Sequence, residues 1–410
     1  MSTRTTSLHD RPGGDARPRR RSTAWVAVAL LGLVAGGRAG ADEAAPGPTA
    51  AASPGAATDP GTAPVTSALR LVDVRGAAID LADLRHRGWL VAVRPPERAL
   101  AAAVAAVPST CAALDERGAS LLVLARARAR DLHALGAGLP CPLVPDRDGA
   151  TWRGLGAGAR PGVLVLDPAH AVRARLPWTP DWDARVCELV AALQATTPAV
   201  DLRPAYAHFG LGVRRQGRRG TCSVFTAVGA LELALAIRRG AGAPLSVEFL
   251  NWAANQATGH PEGDGQFFHN CIRGFERHGV ARDASMPYAR AHDPARAPSE
   301  AALAEGRAAR AEGLRFRWLK PIGTPKGAMP AELQACREVL ARGLPVAAGS
   351  YHSVLFVGYE TGPEHPGGGR FVTHDSGAGA ARHMSFEEAA GRLNDLFWVQ
   401  ATPRPWWEAP

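Results

Sequence analysis

Three side chains in this sequence have the types and order needed for nucleophilic acyl chemistry. Cys222 ends the stretch Gln216-Gly-Arg-Arg-Gly-Thr-Cys222 and is followed by SVFTAVGALELALAIRR. Phe225, Val228, Leu231 and Leu235 recur at three- and four-residue steps, which predicts a helix with one buried face. A thiol in the first turn of that helix meets unpaired N–H groups and the positive end of the helix dipole. Both favour the thiolate, which is the reactive form. Gln216 is close enough in sequence to turn an amide N–H toward the same spot, as an oxyanion donor. His352 begins the apolar run SVLFVGYE, which reads as a strand, and can serve as the base. Asp375 follows the short strand pattern RFVTH and can orient the imidazole.

QGRRGTC, HSVLFVGY and HDSG, in that order, resemble the papain-like cysteine peptidases. The 130 positions from Cys222 to His352 lie within that family's separation. AVGALE after the cysteine, PLSVEFL, the glycine turn GHPEGDGQ and GFERHGVARDASMPY resemble further family segments. The resemblance implies a papain-like α+β domain over 197–410, with a helical left half and a β-barrel-like right half. It implies Cys222 as nucleophile, His352 as base, Asp375 as orienting residue and Gln216 as oxyanion donor. The sequence also departs from the family pattern. Arg219 stands in the slot of a disulfide cysteine, Ser223 replaces an aromatic, Asp375 replaces an asparagine, and the tryptophan after it is missing. The acidic third residue and MSFEEAAGRLND are similar to bacterial double-glycine-type cysteine peptidases.

The chain of 410 residues is long enough for two domains plus extensions, and 46% apolar residues can fill sizeable cores. Net charge is +9, but residues 1–41 hold seven Arg against Asp10 and Asp15, which leaves only +4 on the rest. No basic patch is interleaved with aromatics, so nucleic acid is not an expected partner. Residues 1–41 read as an export signal: ARPRRRSTA is a basic segment and WVAVALLGLVAGG an apolar one too short to span a bilayer comfortably. Ala39-Gly40-Ala41 is a small-x-small cleavage site, so the expectation is a secreted or periplasmic protein cut after Ala41, with no membrane span remaining. An uncleaved anchor is the other reading. Residues 42–67 are an Ala/Pro-rich linker that cannot bury enough apolar surface to order itself.

Residues 68–196 alternate apolar strands, such as WLVAVRPP and SLLVLAR, with helical stretches, which predicts an α/β domain. LRLVDVRGAAIDLADL, PDRDG and RPGVLVLD resemble landmarks of the thioredoxin-like fold in its peroxiredoxin branch. The resemblance puts Pro161 in the slot of that fold's cis-proline. No cysteine follows WLVAV and no C-x-x-C occurs, so this domain is expected to be redox-inactive. Scaffold, inhibitory flap and partner-binding module are its open roles.

The expected function is hydrolysis of peptide bonds by a Cys222–His352–Asp375 triad on a peptide or protein substrate. An inactive binding or scaffold protein and a Cys-His-Asp acyltransferase are the alternatives. Cys111, Cys141 and Cys187 read as small buried hydrophobes, although an exported protein permits a disulfide among them. Cys271 and Cys336 read as structural, and His383 as a surface residue. No ligand pair supports a metal and no phosphate loop a nucleotide, so no cofactor is expected. Finally, the 68–196 region is a candidate regulator that covers the cleft.

Overall fold

The computed structural model describes residues 69–401. The expected export signal (1–41), its cleavage point after Ala41 and the linker (42–67) lie outside the described residues. The first part opens with a hairpin of β1 (Arg70–Val72) and β2 (Ala78–Asp80). It continues through β3 (Trp89–Arg94), α1 (Leu100–Asp115), β4 (Ala119–Ala125), α2 (Ala129–Gly136), β5 (Leu143–Pro145), α3 (Ala150–Gly154), β6 (Gly162–Leu166), β7 (Val172–Pro177) and α4 (Trp182–Thr196). Strands β3 to β7 form one sheet in the order β5-β4-β3-β6-β7. β3, β4 and β5 run parallel; β6 is antiparallel to both of its neighbours, β3 and β7.

β3 is buried along its whole length because both faces of the sheet are covered. Alternate residues of a strand point to opposite faces. Trp89, Val91 and Val93 pack with Val104, Val107 and Leu114 of α1 and Val186 and Val190 of α4. Leu90 and Ala92 pack on the other side with Leu71, Ile79, Leu81 and Trp152. The bond before Pro161 is not cis, nor is any other among the described residues. That corrects the expectation for Pro161: trans is the lower-energy isomer, and β6 begins directly after it at Gly162.

The second part holds β8 (Ala199–Asp201), α5 (Arg203–His208), α6 (Cys222–Arg239), α7 (Val247–Thr258), α8 (Phe268–His278), α9 (Glu300–Ala311), β9 (Arg315–Lys320) and α10 (Pro330–Ala341). β10 (Val346–Gly349), β11 (Val354–Thr361), β12 (Gly369–Asp375), β13 (Ala380–Ser385), α11 (Phe386–Arg392) and β14 (Asp395–Gln400) complete it. Its seven-stranded antiparallel sheet runs β13-β12-β11-β10-β14-β9, with β8 also paired to β11. β13 and β9 are its unpaired ends among the described residues. The described residues form a mixed α/β structure with the β1–β2 hairpin and two larger, separate sheets.

Helix α6 departs from the one-face expectation. Thirteen of its eighteen residues are buried, because α7 and α8 pack on one side and β10, β11 and β14 on the other. Even Glu232 is inside. Its carboxylate accepts from Arg214 Nη2 at 2.7 Å and Leu245 N at 2.8 Å, and burial still pushes its pKa up to about 7. A helix enclosed in this way gives its first residue a firm position.

The two parts meet at the far end of α6. Arg87 Nε donates to Ile237 O at 3.0 Å, Trp89 Nε1 to Ala341 O at 2.7 Å, and α4 packs on α10. Ile237 lies about 22 Å along the helix axis from Cys222. These contacts lie at the end of α6 opposite Cys222, so none of them draws the first part over the Cys222 end, as the reading of residues 68–196 as a cleft cover, one of their open roles, would require.

Candidate active site

Cys222 is the first residue of α6, with Thr221 at the N-cap. The thiol is half-buried. Burial raises its pKa, but a hydrogen bond with the His352 imidazole, N–H groups of Ser353 and Ser223, and the nearby imidazolium charge outweigh it, and the net shift is downward. His352 sits on the loop into β11, where Ser350 Oγ donates to His352 O at 2.7 Å. Its Nε2 faces Asp375 Oδ1 at 2.6 Å, which leaves Nδ1 as the ring nitrogen for the thiol. The hydrogen bond to Cys222 raises the imidazole most; burial lowers it, and Asp375 raises it further, to about 9. Asp375 ends β12. Burial pushes its carboxyl up, but the His352 hydrogen bond and charge and the N–H groups of Gly377 and Ala378, at 2.8 and 3.2 Å, hold it below the usual carboxylate range. The pair is thus biased toward thiolate and imidazolium.

His374, beside Asp375 in sequence, points the other way because strand residues alternate. It packs edge-on to Tyr206, and burial keeps it neutral, with its pKa lowered to about 4. The exposed His383 is on β13. Cys271 and Cys336 are buried in α8 and α10. Among the described residues no group of three or more His, Cys, Asp or Glu converges as a metal site.

Gln216 is tied to the strand side by a reciprocal pair. Its backbone N–H donates to Ser376 O at 2.9 Å, and Ser376 Oγ donates to Gln216 Oε1 at 2.7 Å. Its Nε2 gives one hydrogen to Arg219 O at 2.8 Å. An amide carries two N–H donors, so one remains for a ligand. Tyr288 joins the same loop to the helix: its hydroxyl donates to Gln216 O at 3.0 Å and bonds Thr221 Oγ1 at 2.7 Å.

Arg219 anchors this loop from below. Its side chain is almost fully buried and reaches Glu248 at 2.6 Å, Asp264 at 2.8 Å and Ala289 O at 2.9 Å. The guanidinium also lies 4.5 Å from the Tyr288 ring centroid. Burial opposes its charge, but the Glu248 and Asp264 carboxylates hold it firmly protonated. The loop carrying Asp264 then passes close to the cysteine loop. Gly265 has φ +104°, and a Cβ there would strike Gly220 O, so only glycine fits. Beyond it, Ser223 Oγ donates to Gln266 O.

No family model matches the chain, and no curated protein does. Among solved structures, it is similar to xylellain, a cysteine protease from Xylella fastidiosa, at 18% identity over 51% of this chain and 88% of that one, with a TM-score of 0.41. It is similar to digestive procathepsin L 3 from the Tenebrio molitor larval midgut at 16% identity, over 50% of this chain and 69% of that one, with a TM-score of 0.37. It is also similar to the bacterioferritin comigratory protein of Xanthomonas campestris at 21% identity, over 31% of this chain and 93% of that one, with a TM-score of 0.28. Identities and scores this low leave the function to the geometry of the site.

Three residues of that site were not legible as participants. Ser376, Tyr288 and the backbone N–H of Ser353 act through contacts 160, 72 and 131 positions apart in sequence from Gln216 and Cys222. Tyr288 had a signal in its MPY segment, Ser376 in HDSG and Ser353 in HSVLFVGY, but none of these segments gave the contact its residue makes. Arg219 was visible only as a residue standing where a cysteine was expected.

Proposed function

We propose that this protein is a cysteine peptidase using Cys222 as nucleophile, His352 as acid–base, Asp375 as the orienting residue and Gln216 as an oxyanion donor. One observation carries the reading. The same imidazole hydrogen-bonds the Cys222 thiol and, 2.6 Å away on its other side, Asp375, with thiol and imidazole shifted in opposite directions. A buried structural cysteine needs no such partner.

The thiolate attacks the peptide carbonyl carbon, forming a C–S bond while the C=O pair moves onto oxygen. The N–H at the start of α6 and the free amide hydrogen of Gln216 meet that oxyanion, and a donor of this kind is worth about 3 kcal/mol of barrier. The imidazolium gives its proton to the leaving nitrogen as the C–N bond breaks. Water, deprotonated by the imidazole, then releases the acid and restores the thiolate. Asp375 keeps Nε2–H in place throughout. Export directed by residues 1–41 belongs to the same proposal and suits an enzyme acting on external peptides.

The test is labelling with an epoxide-type thiol inhibitor, alongside peptide cleavage, in wild type and His352→Ala. The expected outcome is rapid modification of Cys222, located by mass spectrometry, that slows at least about a hundredfold in the variant. Slow labelling spread over several cysteines and indifferent to His352 would overturn the proposal. Added amine distinguishes hydrolysis from acyl transfer by the product formed.

A further inference from the structure

If Cys222 holds the acyl carbon and His352 protonates the leaving nitrogen, the departing segment of the peptide must lie against the imidazole. A cleft of about 550 Å³ opens there, walled by His352, Asp375, Tyr351, Lys326, Arg382 and Arg392. Tyr351 is fully exposed at its rim. The charges in this cleft do not cancel. Its two carboxylates are both engaged, Asp375 by His352 and Glu388 by Arg392. Lys326 and Arg382 have no carboxylate partner among the described residues, and His383 adds a further nitrogen base beside Arg382.

The fold sets the backbone of both cations at the cleft, with their side chains exposed. Arg382 on β13 pairs in register with Thr373 on β12, and so shares a face with Asp375 two residues on. Lys326 precedes a loop fixed to α11 and its end by Gly327 N to Leu393 O at 2.8 Å and Ala328 N to Ala390 O at 3.0 Å. Two unpaired cations in a concave site focus a positive potential on whatever enters. A lysine or arginine in the departing segment would meet like charge, whereas a carboxylate would find partners already in place.

We infer that this cleft binds a carboxylate on the leaving side of the scissile bond, so that the substrates are peptides with Asp or Glu, or a free C-terminus, shortly after the cut. The inference rests on the peptidase reading. The test uses quenched peptides with a randomised acyl portion and Glu, Gln or Lys at each of the first three leaving positions. A second pair ends in a free carboxylate or an amide. At low salt the expected kcat/KM for Glu peptides or for the free carboxylate exceeds that for the neutral counterpart about five- to tenfold, and the preference shrinks in high salt. A response confined to one arm tells side-chain from terminal recognition. The double variant Lys326→Glu/Arg382→Glu should turn the preference toward Lys, with Cys222 labelling reporting that it is folded. Equal rates across the set, or a preference that ignores the double variant, overturn the inference and leave the peptidase standing. No cleavage of any peptide, with no selective labelling of Cys222, overturns both.

Discussion

Cys141, in the first part of the molecule, lies beside Cys111 under the sheet of β3–β5. Its hydrogen bond to that second thiol, together with burial, pushes its pKa well up. Cys222, in the second part, is also shielded from water, yet its pKa falls because His352 and two backbone N–H groups face it. Burial acts the same way on both, so it does not separate an inert thiol from a reactive one. The partners do. In the first part Cys141 meets a second thiol within an apolar cluster; in the second part neighbouring elements bring a base, a carboxylate and a helix N-terminus to one point. Cys271 sharpens the contrast. It is also in the second part, but burial raises it to about 12 because no base reaches it.

The largest effect expected from breaking this contrast is on turnover. Cys222→Ser should lower kcat at least about 10⁴-fold, as loss of a nucleophile does, whereas Cys141→Ala should leave peptide cleavage within about twofold. Steady-state kinetics on the two purified variants checks this. Comparable losses would mean that the thiols are not distinguished by their partners.

The next effect is on stability. Arg219→Met strands Glu248 and Asp264 without their buried cation, a loss of about 3–5 kcal/mol. Denaturant melts should show it as a lowered midpoint for the second part. Exposed Arg70, paired with Asp80 in the first part at 3.3 Å, should cost under about 1 kcal/mol when changed to Ala. Equal midpoints for the two variants would count against the buried network as the anchor of the cysteine loop.

The smallest effect is a shift in pH. His352 is raised to about 9, so its imidazolium persists to that pH and the ion pair is lost as pH climbs through it. Asp375 contributes part of the rise. Asp375→Asn should move the alkaline limb of Cys222 labelling to lower pH by about one unit or more. An unmoved limb would assign the raised pKa to the thiolate alone. The sign carries over to folding: the contribution of His352 is complete below its ordinary pKa of 6.5 and lost as pH rises through about 9.

Local pattern and composition were enough to indicate the helix after Cys222, the strands around His352 and Asp375, and an α/β first part without a thiol after β3. These features depend on side-chain periodicity and on which residue types occur, and both are written along the chain. The bond before Pro161 could not be read that way, because a slot in a pattern does not fix an isomer. Nor could the burial of α6, since the four spaced apolar residues define only one face and the sheet that covers the other is built from strands more than a hundred residues later. Only the tertiary structure decided that Ser376 holds Gln216, that Arg219 gathers two carboxylates, and that Lys326 and Arg382 share a cleft with His352. Such contacts depend on distances between remote segments, and sequence spacing carries no information about them until the chain has packed.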